Sequence, residues 1–240
     1  LFGTRYGSID NCFRLESDDA NTCVPDGIAH FLEHKMFENE NGEDTFSRYA
    51  QLGASANAYT SNTMTAYLFS CTENFYESLE ILIDFVTHPY FTDENVEKEQ
   101  GIIGQEIRMY QDNPDWQVFF NLLRGLYSKN PVRIDIAGTI ESIAEINADL
   151  LYRCYNTFYN LSNMALAIAG NVKKETVSCF LNRIVMKLKY KGWQDITVNV
   201  FKKLKSVELG NGDMIDNLNA NIQLLSILCD CDEDEIASLS

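Results

Sequence analysis

After Pro25, apolar residues recur at Ile28, Phe31, Leu32 and Met36. This is the spacing of one buried helical face, so "GIAHFLEHKMF" is predicted to be a short helix that opens near the proline. A second helix is predicted from about Thr45 to Leu52, where Gly53 stops it. The next stretch, "ASANAYTSNTMTAYLFSC", carries β-branched and aromatic residues in two runs around the turn-like "SNTM" and predicts a hairpin. Asn74 stands where an N-cap belongs, ahead of the amphipathic "FYESLEILIDFVTH", which Pro89 ends. Thr92 and Asp93 start the following helix, "ENVEKEQGIIGQEIRMY", and shorter helices are expected near 115–127, 140–146 and 148–159. Strands are expected at "LFGTRYGSID" and "NMALAIAGNV", and "KETVSCFLNRIVMKLK" is predicted to be a last amphipathic helix. The elements follow no strict βαβ alternation, so the class predicted is an α+β layer sandwich.

A chain of 240 residues that is 45% hydrophobic, with four prolines, buries a core of domain size. From Ser206 onward there are eight Asp or Glu and no Lys or Arg. The expected division is therefore a domain over 1–205 and an acidic extension over 206–240 around one apolar patch, "IQLLSIL". Nineteen basic against 35 acidic residues give a formal charge of -16, which repels phosphate backbones and anionic bilayers. Nucleic acid and membrane are thus excluded as expected partners, and no apolar run has the length of a membrane span. The seven cysteines show no zinc-type CxxC pairing and fit reduced thiols in a cytoplasmic protein. The chain opens on Leu1, inside a strand pattern and without an initiator Met, so missing upstream residues are expected.

His30 and His34 are two of only three histidines. Four positions apart on a helix, their rings leave one face one turn apart, where both can ligate a single ion. Glu33 lies beside the pair, in a position that suits a base acting on water at the ion. A catalytic zinc site needs a third protein ligand, and the helix after Thr92 offers Glu99 and Glu106, seven residues apart and on nearly one face. One of them can bind the metal while the other supports a ligand. His88, next to Pro89, reads as a C-terminal helix histidine rather than a ligand.

These residues resemble the pitrilysin and insulysin family of zinc peptidases, which includes the mitochondrial processing peptidases and carries the inverted HxxEH motif. The likeness is greatest to the short cytoplasmic zinc peptidases of Gram-positive bacteria. It runs from about Tyr6 to Val172 through "YGSIDN", "VPDGIAHFLEHKMFE", "GASANAYTS", "DFVTHPYFT", "VEKEQGIIGQEI", "DNPDW" and "DIAGTIESI". Carried over by position, it implies Zn2+ held by His30, His34 and Glu106, with Glu33 as general base and Glu99 behind the ligands. It implies a two-layer domain, a mixed sheet covered by helices.

The family binds peptide substrates as an added strand on the sheet edge, here "GASANAYTS". Ala54, Ser55, Ala56 and Ala58 leave room for a second backbone, and Asn57 is the candidate polar contact. Family enzymes pair two homologous domains around a chamber, whereas this chain carries the metal-bearing half. A second half in a separate chain, a missing C-terminal domain, or self-association is therefore expected. The competing expectation is a zinc-stabilised, non-catalytic subunit that holds peptides or partners on its edge strand. Ligand type leaves open manganese or cobalt in place of zinc.

Overall fold

The computed structural model describes residues 1–15 and 19–190. The strands are β1 (Phe2–Thr4), β2 (Cys12–Phe13), β3 (Thr22–Cys23), β4 (Ser55–Thr60), β5 (Thr65–Ser70) and β6 (Met164–Leu166). The helices are α1 (Ile28–Lys35), α2 (Thr45–Gln51), α3 (Phe75–Thr87), α4 (Asp93–Gln111), α5 (Pro114–Leu126), α6 (Ile140–Ile143), α7 (Ala148–Phe158) and α8 (Lys174–Tyr190). They divide into two compact units, Thr4–Tyr159 and a smaller one made of Leu1–Gly3 with residues from Asn160 onward. In the smaller unit, Leu1 and Ala167 exchange both backbone hydrogen bonds, at 2.9 and 2.8 Å. The acidic extension expected over 206–240 lies outside the described residues. Among the described residues, no helix is long and apolar enough to cross a membrane.

In the larger unit, β4 and β5 form the expected antiparallel hairpin, in register from Ser55 opposite Ser70 to Thr60 opposite Thr65. Among the described residues, β4 ends the strand order and is an edge strand. α1, α2 and α3 pack on this hairpin, and α4 packs on α1. The α+β class read from the sequence is the one observed. The apolar face of α1 is buried as its spacing requires, with Ile28, Phe31, Leu32 and Met36 all at or below 2% exposure. Beneath the hairpin, Tyr67 and Tyr159 bring their hydroxyls to 2.7 Å, so two buried polar groups satisfy each other.

Several boundaries differ from expectation for local reasons. α1 begins at Ile28, later than Pro25, because Gly27 at φ 91 turns the chain before the helix can start. Asn74 stands at the predicted N-cap of α3 but makes no capping bond, since its Nδ2 donates to Leu52 O instead. Thr92 caps α4 as predicted, in a capping box with Asn95. The strands predicted at 1–10 and within 163–172 shrink to three residues each. One correction concerns the cysteines: Cys12 and Cys23 are directly opposite on the β2–β3 ladder and form a disulfide rather than two reduced thiols. The pairing of these short strands, eleven residues apart, left no period-2 signal in the sequence.

The entry into α1 depends on two glycines that face each other. A Cβ on Gly27 would lie 2.4 Å from Ala137 O, and one on Gly138 (φ 74) would lie 2.4 Å from Asp26 O. Neither gap admits a side chain, and both backbones sit where L residues are strained. Gly138→Ala is therefore expected to destabilise the fold by about 3 kcal/mol, the upper end for one strained residue. Urea unfolding measures it, and a loss below about 0.5 kcal/mol, the range of an ordinary surface change, would contradict the close approach.

Candidate active site

α1 presents His30 and His34 on one face, their ring centroids 4.5 Å apart. α4 crosses that face and brings Glu106 against both, with Oε2 3.7 Å from His30 Nε2 and 3.6 Å from His34 Nε2. One turn-pair earlier on the same helix, Glu99 Oε1 meets His34 Nδ1 at 3.0 Å. Lys35 bolts the two helices together. Its fully buried Nζ donates to Asn95 O in the first turn of α4 at 3.1 Å and pairs with Glu38 at 2.8 Å.

His30, His34 and Glu106 each offer an atom within 4.8 Å of the others. Tetrahedral bonds of about 2.1 Å put neighbouring ligand atoms about 3.4 Å apart, so spacings of 3.6 and 3.7 Å suit a zinc-sized ion. The chemistry of the set, two imidazoles and one carboxylate, is also that of a catalytic zinc site. Of the two glutamates left open by the helical spacing, the geometry brings Glu106 into the cluster and Glu99 onto the far nitrogen of His34.

Charge states follow from burial. Burial pushes His30 down to about 3, helped by the adjacent His34, so its imidazole is neutral at ordinary pH. Burial also lowers His34, but the hydrogen bond it donates to Glu99 and the charges of Glu99, Glu106 and Glu33 outweigh it and leave its pKa raised. Burial raises the Glu33 pKa, against the hydrogen bond from Thr60. The buried Nδ1 of His30 has no hydrogen-bond partner among the described residues, so the ring's other nitrogen, facing Glu106, makes its one polar contact there.

Two neighbours of the cluster escaped the sequence reading. Thr60 Oγ1 donates to Glu33 Oε2 at 2.5 Å. Tyr110 lies beside Glu106, and its pKa is raised by burial and then by that carboxylate. Both had a signal: Thr60 continues the period-2 face of Ala56 and Ala58, and Tyr110 is one turn beyond Glu106. In β4, Ser55, Asn57 and Tyr59 are exposed while Ala56, Ala58 and Thr60 are half-buried. Asn57 Oδ1 accepts from the Ala58 backbone N–H at 2.9 Å rather than pointing away from the edge. His88 caps the end of α3 with Nδ1 2.9 Å from Asp84 O, as a helix-end histidine and away from the cluster.

The family model for insulinase, peptidase family M16, matches residues 20–140, which hold His30, Glu33, His34, Glu99 and Glu106. The chain belongs to peptidase family M16. A second M16 model, described as the inactive domain, matches 145–214 and so runs past Val172, where the resemblance read from the sequence fades. The zinc protease YmfH of Bacillus subtilis, itself uncharacterized, is 59% identical over 177 residues, 74% of this chain and 41% of its own length. The crystal structure of an M16-like peptidase from Alicyclobacillus acidocaldarius superposes with a TM-score of 0.73 at 49% identity, covering 76% of this chain and 42% of that one. The first half of the periplasmic protease PqqL from Escherichia coli shares the fold alone, with a TM-score of 0.62 at 20% identity over 76% of this chain and 39% of that one. The chain thus spans about two fifths of the M16 relatives it matches.

Proposed function

We propose that this chain is the metal-bearing half of a zinc-dependent peptidase, with His30, His34 and Glu106 as ligands and Glu33 as the general base. The observation that carries the reading is the convergence of two imidazoles and one carboxylate within ligand distance, beside a buried glutamate on the same helical turn. Bound zinc would supply Lewis acidity there, acidifying water and polarising a carbonyl.

The protein groups divide the remaining work. Thr60 occupies Oε2 of Glu33, which leaves Oε1 to accept a proton from water. Burial raises the affinity of Glu33 for that proton, so it can hold it and pass it to the departing amine. Glu99 accepts from His34 Nδ1–H and so fixes the tautomer whose Nε2 lone pair faces Glu106. The free edge of β4 accepts a peptide as an added strand, with Ala56 and Ala58 leaving room for its backbone. Asn57 covers the Ala58 N–H until a substrate carbonyl replaces its side chain.

Metal analysis tests the ligand set. The wild-type chain should hold about one zinc, and Glu106→Gln should lose far more of it than Glu99→Gln, since only the former removes a ligand. The opposite ranking would exchange the two roles.

Protons compete with zinc first at His34, whose pKa is raised, and at His30 only near 3. Zinc affinity is therefore fully developed above the His34 pKa and falls as pH drops through it. Glu99→Gln removes the largest group of raising causes, so the fall should move to lower pH. The same change should cost about 10- to 100-fold in affinity at alkaline pH. A fall that stays at the wild-type pH would mean that Glu99 does not set the His34 charge.

A further inference from the structure

A cavity of about 580 Å³, within the roughly 300–1,000 Å³ typical of ligand sites, opens between α4, α5 and the 131–139 segment, which starts with the 3-10 turn Pro131–Arg133. Its apolar walls include Trp116 and Phe120, and its cationic groups are Arg124 and Arg133. Two carboxylates also line it, yet both are engaged. Asp135 accepts from Trp116 Nε1 with one oxygen and from the Ala137 N–H with the other, and Asp26 accepts from Asn11. These neutral donors leave both carboxylates charged, but neither forms an ion pair with Arg124 or Arg133 among the described residues. Among the described residues, Arg133 is half-buried with its Nε enclosed and without a hydrogen-bond partner, and the exposed Arg124 donates to Asn121 on its own helix. A buried guanidinium N–H without an acceptor costs free energy that a ligand acceptor in the cavity would recover.

The cavity adjoins the metal cluster. Trp116 stacks on Tyr110 at 4.5 Å, and Tyr110 lies beside Glu106. Ile107, the residue after Glu106, lines the cavity directly.

We propose that this cavity binds a carboxylate of the peptide substrate, with Arg133 as the residue that determines the preference and Arg124 in support. The proposal rests on the peptidase reading above for its ligand, a peptide. It makes acidic peptides the preferred substrate class: a planar carboxylate fills the guanidinium fork while its aliphatic stem packs on Trp116 and Phe120. The carboxylate comes from an Asp or Glu side chain or from the chain end.

The test is binding of three small probes to the full chain, N-acetyl-glutamate amide, N-acetyl-glutamine amide and N-acetyl-glutamine with a free carboxylate. Binding is followed by NMR through the Trp116 indole N–H and the Arg133 Nε–H. The expected result is that one or both carboxylate probes shift these signals with at least about tenfold higher affinity than the neutral amide, the size of one charge-assisted hydrogen bond. The probe that binds identifies the source as side chain or chain end. Arg133→Gln should abolish the preference, while Arg133→Lys keeps part of it. Equal binding of all three probes by the wild-type chain, or a preference that survives in a folded Arg133→Gln, would overturn the proposal. The readout needs neither metal nor turnover. A chain with the preference that never cleaves peptides would sink the peptidase reading and leave the pocket, and a chain that cleaves without the preference would do the reverse.

Discussion

Glu33→Gln is expected to keep its zinc and to lower peptide hydrolysis by about 10³-fold, within the range of one positioned general base. The amide is nearly isosteric, so Thr60 can still donate to the oxygen at that position and α1 should stay folded around it. Neither ligand distance to Glu106 involves Glu33, so metal content should not change. What is lost is the capacity of the second oxygen to take and return a proton. Hydrolysis at the wild-type rate by the zinc-loaded variant would remove Glu33 from the mechanism.

The second large effect concerns closure. The metal-loaded chain alone should cleave peptides slowly, and adding a complementary second half should raise turnover by about 10²-fold or more. The physical ground is the edge position of β4 among the described residues. β4 offers one edge for a peptide, and α1 with its histidines packs on the same hairpin. Without a cover, water competes for each backbone bond and the scissile carbonyl is poorly held. The two-fifths coverage of M16 relatives supplies the second ground. The C-terminal part of the Bacillus subtilis relative, 59% identical over the shared region, is a suitable second half for the mixing experiment. Equal rates with and without it would mean that the chain completes its site alone or by self-association.

The site was legible because its chemistry is local. His30, Glu33 and His34 share one helical turn, and the seven-residue step from Glu99 to Glu106 is visible on one predicted helix. Which glutamate reaches the histidines was not legible from spacing, since that depends on how α4 crosses α1, a contact fixed in part by buried Lys35. Thr60 was missed because its partner lies 27 residues away across a strand and helix contact. The fold was readable where period and caps agree, as in α4 with its Thr92 box. It was not readable where pairing is long-range and short, as in β2 with β3 and their disulfide. The role of Gly27 and Gly138 was likewise hidden, because it arises from backbone approach between segments over a hundred residues apart.

The central claim is that the three convergent side chains hold one zinc ion, and anomalous scattering at the zinc edge from zinc-loaded crystals tests it most directly. The account predicts one strong peak about 2.0–2.2 Å from Nε2 of His30, Nε2 of His34 and an oxygen of Glu106, with Glu99 still on Nδ1 of His34. A peak ligated by Glu99 in place of Glu106, or no peak at this cluster, would contradict it.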